Sequence, residues 1–481
     1  MPRPATAGLS ADASPGDRRA QFRVVPGREP RVVPTGLRFP PQLAAAVLVG
    51  LPGTYFGAAE YLGWPHPSMP PPLAAVLYGV AIVGAAFVLS WAAEAAQVDL
   101  SAGVALALLA LVAVLPEYAV DAVFSLQAGN VYAGHGGRCV AGPGGGNPCA
   151  LALANVTGAN RVLVGIGWPL VIAVASIAVS RAHRQGEPDS ASAHPDGVQL
   201  PRAMSTEVVF LGLATVYSLF IPLRHTLTLI DSLVLVAIFA GYSWRLAKAP
   251  SEEPQLAGAS KWLGELARRR RRLAVGALFL VAGVVILASA EHFADNLVAT
   301  GTELGLDQFV LVEWVAPLAS EAPELIVATL YALRLMAGDS LGALVSSKVN
   351  QWTLLVGTIP VIFALSAGTF DGLPLDTQQR FALAVTAAQS LFAVSLLLTL
   401  RVTRGGAVAL FALFCAQFFG SILLPPPLSH RTDLVLSAVY VALAAVQFLR
   451  HRDTIARTAR DGVATDFAEL ERADAEASGQ R

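Results

Sequence analysis

Charge is what this sequence has least of. Only 14% of its 481 residues are Asp, Glu, Lys or Arg, while 54% are hydrophobic. Soluble globular chains run nearer about 25% charged and about 45–50% apolar. The deficit excludes an ordinary soluble enzyme, a disordered scaffold and a nucleic-acid binder. A net charge of −1 leaves no global field to draw in polyanions. Three cysteines are too few for a disulfide framework. No Gly-rich loop ends in Gly-Lys-Ser/Thr, which argues against ATP-driven pumping. The eight histidines lie mostly in loops or at span ends, and His292 beside Glu291 has no partner at ligand spacing, which argues against a membrane metallohydrolase. With these absences the chain does not read as an enzyme, and no cofactor is expected.

Long apolar runs are abundant instead. A helix needs about 20 largely apolar residues to cross the hydrocarbon core. Runs at 41–63, 72–97, 101–128, 149–180, 205–222 and 226–245 meet that length, as do 273–298, 305–333, 341–366, 381–400, 406–424 and 433–449. They predict an all-α membrane bundle of about 12 spans. The run at 149–180 exceeds one straight span and is expected to be tilted, broken or miscounted.

Basic residues orient the bundle. Arg3, Arg18, Arg19, Arg23, Arg28, Arg31 and Arg38 precede the first run. Arg181, Arg184 and Arg202 follow the fourth, Arg268 to Arg272 close the linker after the sixth, and Arg450, Arg452, Arg457 and Arg460 follow the last. Loops 64–71 and 129–148 hold almost none. A multi-pass protein of the cell membrane with both termini cytoplasmic is expected. Its segments are a disordered tail (1–40), an added span and outer loop (41–71), a first repeat (72–245), a basic cytoplasmic linker (246–272), a second repeat (273–424), an added span (425–449) and a cytoplasmic tail (450–481), of which 462–481 is solvated helix or disorder. Cys139 and Cys149 fall in or beside the outer loop, where their spacing allows a bridge without requiring one. Cys415 lies within a span and reads as a small hydrophobe.

Secondary transporters often carry a weak internal duplication. Leu-Pro-Glu-Tyr-Ala-Val-Asp at 115–121 answers Ala-Pro-Glu-Leu-Ile-Val-Ala at 322–328. A small polar patch follows each: Ala-Asn-Val-Thr-Gly-Ala-Asn-Arg at 154–161 and Leu-Val-Ser-Ser-Lys-Val-Asn-Gln at 344–351, then glycine and proline. The span count sends the two Pro-Glu helices in opposite directions, so the five-helix repeats are inverted and both carboxylates meet near mid-membrane.

A carboxylate at that depth costs at least about 2.5–3.5 kcal/mol on insertion scales, so it needs a partner. Proline frees the carbonyl four residues earlier: Val112 for Pro116, Glu313 for Pro317 and Ala319 for Pro323. Carbonyl and carboxylate oxygens are hard ligands suited to Na⁺ or Ca²⁺. Glu117 and Asp121, four apart, share a face, and Glu313, Ser320 and Glu324 form a second stripe with Glu321 to its side, toward a neighbouring helix. Asn155, Thr157, Asn160, Ser346, Ser347 and Asn350 offer neutral oxygens. Arg161 and Lys348 each stand in one polar patch, either as half of a buried ion pair or as a tethered cation that modulates the site. Glu94, Asp231, Glu291 and Asp295 read as interfacial or salt-bridged carboxylates, or as ion-entry groups.

This pattern resembles the cation/calcium exchanger superfamily, the sodium/calcium exchanger membrane region, over 72–245 and 273–424. The family's signature is a Gly-Thr-Ser-x-Pro-Glu helix followed by Gly-Asn-x-x-Gly-Ser-Asn, once per inverted repeat. Ala319-Ser320-Glu321-Ala322-Pro323-Glu324 matches in part, and Ala113-Val114-Leu115-Pro116-Glu117 lacks both hydroxyls. Asn155 to Asn160 matches the downstream motif, from which Leu341 to Asn350 departs. The resemblance implies that Glu117 and Glu324 coordinate the transported cation, with Asn155, Asn160 and Ser320 as neutral ligands; Asp121, Glu321, Ser347 and Asn350 complete the candidate set. It implies an antiporter of Ca²⁺ or Na⁺ against Na⁺ or H⁺, with the lipid bilayer and inorganic cations as partners. A transport-inactive regulatory protein of the same fold and a Na⁺(K⁺)/H⁺ antiporter are the alternatives.

Overall fold

The computed structural model describes residues 39–99, 115–140, 147–185, 193–194, 196–250, 256 and 258–479. The expected tail at 1–40 and the start of the span expected at 101–128 lie outside these residues, apart from Phe39 and Pro40.

Prolines start several helices, where a missing N–H costs nothing. They open α1 (Pro41–Leu62), α2 (Pro71–Ala96) and α4 (Pro148–Val162). Helix α3 spans Leu115–Gly134, and α5 (Trp168–Gln185) continues α4 through a π-helical turn at Leu163–Gly167. Then come α6 (Ser205–Ser218) and α7 (Leu229–Leu246); at α7 the Thr228 side chain caps the Asp231 N–H and Asp231 returns the bond. Asp231 also accepts from Tyr217 at 2.6 Å and from Arg224 at 2.5 Å, so it is a cap and not an ion-entry group. A short α8 (Ala259–Gly264) precedes the second series.

That series repeats the first. Helix α9 (Arg268–Leu304) answers α2, and α10 (Gln308–Leu333) answers α3. Helix α11 (Ala337–Asn350) runs through a π-helical turn at Gln351–Leu355 into α12 (Val356–Ala367), as α4 runs into α5. Helices α13 (Thr377–Leu397) and α14 (Arg404–Leu423) answer α6 and α7. Four spans separate α3 from α10, which sets the two in opposite directions. Helix α3 packs on α12, and α10 packs on α4. The π turn at Leu163–Gly167 interrupts the long run expected at 149–180.

Ten stretches among the described residues are long and apolar enough to cross a membrane. The two further expected spans correspond to α3, whose expected start is undescribed, and α10, whose Glu313, Glu321 and Glu324 lower its hydropathy. Leu233, Leu287 and Leu365 stand more than two-thirds exposed at 71%, 73% and 79%, facing where lipid tails would lie. The polypeptide is a multi-pass helical membrane protein. Its strands are minimal: a three-stranded patch of β1 (Ala193–His194), β2 (Gly197–Gln199) and β5 (Arg401–Thr403), and the pair β3 (Thr226–Leu227) with β4 (Leu373–Pro374).

Two expectations change, and one left open is resolved. The arginines at 268–272 are the first residues of α9 and not linker, and Arg271 donates to Asp99 at 2.8 and 3.0 Å. The tail is not merely solvated. Beyond α15 (Pro426–Arg450), helices α16 (Arg452–Val463) and α17 (Phe467–Gly479) fold back on the bundle. Arg245 donates to the Gly462 carbonyl at 3.2 Å and covers the buried Phe467 ring at 4.3 Å. Cys139 and Cys149 are bridged, with Cα atoms 6.0 Å apart. Cys415 is half-buried and free.

Candidate functional site

Two Pro-Glu helices and two interrupted helices meet at the centre. Pro116 and Glu117 lie near the start of described α3, so Glu117, Asp121 and Ser125 fall at four-residue steps on one face. All three are buried to 1% or less. On α10, Pro317 and Pro323 interrupt the hydrogen-bond ladder. Pro317 leaves the Glu313 carbonyl without its usual donor. Gly158 of α4 lies directly against that carbonyl: a Cβ there would sit 1.7 Å from the oxygen. Glycine is therefore what lets α4 and α10 cross so closely.

The carboxylates gather around this crossing. Glu117 lies within electrostatic reach of Glu321, Glu324 and Asp121. Among the described residues, neither oxygen of Glu117 has a hydrogen-bond partner. Asp121 accepts from the Asn155 amide at 2.8 Å, and Glu321 accepts from the Gln351 amide at 2.5 Å. Asp121 Oδ2, Asn155 Oδ1, Glu321 Oε2, Glu324 Oε1 and Gln351 Oε1 are buried and likewise unpartnered. Ser347 stands beside Glu324, Ser320 bonds back to the Pro317 carbonyl at 3.4 Å, and Asn350 is buried nearby on α11. Buried acceptors with no donors are costly in protein alone; a cation is what would satisfy so many oxygens at once. Among the described residues no three His, Cys, Asp or Glu side chains converge tightly enough to hold a metal ion. The four acids share a field without closing into a cage.

The two basic residues part company. Arg161 is buried, pairs with Glu313, donates to the Thr157 carbonyl at 3.1 Å and lies 4.7 Å over the Trp314 ring. Glu313 is therefore not on the stripe with Ser320 and Glu324 as a ligand; it neutralises Arg161. Lys348 is fully buried, which excludes snorkelling to water, and it donates to Asn160 rather than to Glu324. Asn160 in turn donates to the Val156 carbonyl at 2.8 Å. Gln351 was absent from the sequence-derived set, although it closes the polar run Ser346 to Gln351. Glu291 accepts from Tyr61, Asp295 from Gln127 at 2.7 Å, and Glu60 pairs with His292 at 2.5 Å, all on the outer rim of α1, α3 and α9.

The family model for the sodium/calcium exchanger protein matches residues 71–247 and 275–423. The chain belongs to this family. Among solved structures it is similar to the H⁺/Ca²⁺ exchanger CAX, at 38% identity and TM-score 0.75, over 90% of this chain and 97% of that one. It also shares its fold with native YfkE (12% identity, TM-score 0.54, 80% of this chain and 99% of that one) and with the selenium-substituted Ca²⁺/H⁺ antiporter protein YfkE (12%, TM-score 0.53, 80% and 98%). No curated protein sequence matches it. Both repeats fall within the matched region, while α1 and the helices from α15 onward lie outside it.

Proposed function

We propose that the chain is an antiporter that moves Ca²⁺ against H⁺ across the cell membrane, with its termini in the cytoplasm. The observation that carries this reading is the set of unpartnered buried oxygens of Glu117, Asp121, Asn155, Glu321, Glu324 and Gln351, contributed by both repeats. Ca²⁺ takes six to eight oxygen ligands in flexible geometry, which suits carboxylates that share a field without forming a rigid cage. A carboxylate oxygen that holds a proton cannot also hold a metal ion, so the same groups serve both cargoes in turn. The similarity to a protein named as an H⁺/Ca²⁺ exchanger supports protons over Na⁺ as the counter-ion. Inverted repeats supply alternating access by rocking one half against the other around a fixed site.

Proteoliposomes holding the full chain test this. An imposed pH gradient should drive Ca²⁺ uphill, and acidification on both sides should weaken apparent Ca²⁺ affinity. Glu117→Gln and Glu324→Gln should each abolish that flux while still inserting and eluting as folded protein. Absence of pH-driven Ca²⁺ flux from the wild type, or near-normal flux in either variant, overturns the assignment.

A further inference from the structure

Lys348 occupies a position defined by the duplication. Asn160 stands three residues before the first π turn, which begins at Leu163. Lys348 stands three residues before the second, which begins at Gln351. In an inverted repeat, residues at matching positions near the axis face each other, and these two do. The Lys348 ammonium donates to Asn160 Oδ1 at 2.7 Å and to the Asn160 carbonyl at 3.2 Å. It also lies 4.8 Å over the Trp352 ring. Glu321 provides an attractive charge and Arg161 a repulsive one. With no exposed surface, Lys348 takes all its polar contacts from the protein.

An amide oxygen, a main-chain carbonyl and an aromatic face are what a desolvated monovalent cation asks for. We infer that Lys348 is a tethered occupant of a monovalent-cation subsite, formed by Asn160 and Trp352 beside the acidic centre. Because the ammonium is covalently held, it cannot be exchanged, and Na⁺ has no place in this subsite. The inference rests on the antiport reading above and refines it: Lys348 is a specificity residue that keeps Na⁺ out of the cycle. It acts by occupying space and supplying fixed charge, and it need not touch the transported ion.

Lys348→Asn rebuilds a symmetric pair of amides and opens the subsite; Lys348→Arg retains a tethered cation. Purified full-length proteins are compared in Na⁺ and in N-methylglucamine, by thermal unfolding and by pH-driven Ca²⁺ flux in proteoliposomes. Na⁺ should raise the unfolding midpoint of Lys348→Asn by on the order of 3 °C, as a ligand of the folded state must. It should leave the wild type and Lys348→Arg unmoved. Ca²⁺ flux by Lys348→Asn should become Na⁺-dependent, whereas the wild type stays indifferent. The stability readout needs no flux, so it stands if the antiport reading fails. Should Lys348→Asn be obtained folded only when Na⁺ is present throughout purification, that too supports the subsite. A variant that unfolds alike in both salts, or is lost alike in both, overturns it, as does a wild type already stabilised by Na⁺.

Discussion

At the scale of single residues, the acidic centre and the Arg161 pair make opposite demands. Glu117 has no hydrogen-bond partner among the described residues, whereas Glu313 has a full one. Removing one member of a buried ion pair typically costs about 3–5 kcal/mol, because the other charge is left unpaired. Arg161→Met should therefore destabilise strongly. Arg161→Met combined with Glu313→Gln should recover most of the loss, since contacting residues are not additive. Thermal unfolding of the single and double variants in one detergent checks this; equal losses in both would break the assigned pairing. Glu117, Asp121, Asn155 and Glu324 were legible in the sequence because spacing of four and the Pro-Glu duplication say which face each occupies. The partner of Glu313 was not legible. Periodicity places a residue on a face of its own helix, and Arg161 lies 152 positions away on another.

Among the elements, the crossing of α4 and α10 depends on Gly158. With a Cβ only 1.7 Å from the Glu313 carbonyl oxygen, Gly158→Ala must push the helices apart. Overpacking of this kind costs about 1–3 kcal/mol or more. A lowered unfolding midpoint with reduced Ca²⁺ flux is expected, and an unchanged midpoint would show that the helices can part freely. At the start of α4, the Cys139–Cys149 bridge closes the loop, and the Cys149 carbonyl accepts from Gln379 of α13 at 2.7 Å. Loop closure by a disulfide contributes roughly 2–4 kcal/mol. Cys139→Ser should lose stability in that range, and peptide mapping without reductant should recover the linked fragment. The spacing of these cysteines left the bridge open, because proximity of the loop ends is a tertiary fact. The π turns were not legible: one extra residue in a helical turn leaves no trace in hydropathy.

For the whole molecule, the order of spans and their inversion were readable because bilayer thickness and arginine placement act on the sequence directly. The docked C-terminal helices were not, since α16 and α17 are polar and their docking depends on Arg245 and Thr206 far away in the chain. Truncation after His451 should expose both groups and lower the unfolding midpoint, which the full-length chain run in parallel would show. The facing pair of Asn160 and Lys348 has a larger consequence. A carrier whose halves matched residue for residue would have inward-open and outward-open forms of equal energy, each the image of the other. An asparagine opposite a lysine lifts that degeneracy. If the chain works by alternating access as proposed, the unloaded protein should favour one of the two open forms, and single cysteines placed at the two mouths should label at unequal rates. In Lys348→Asn the two rates should draw together.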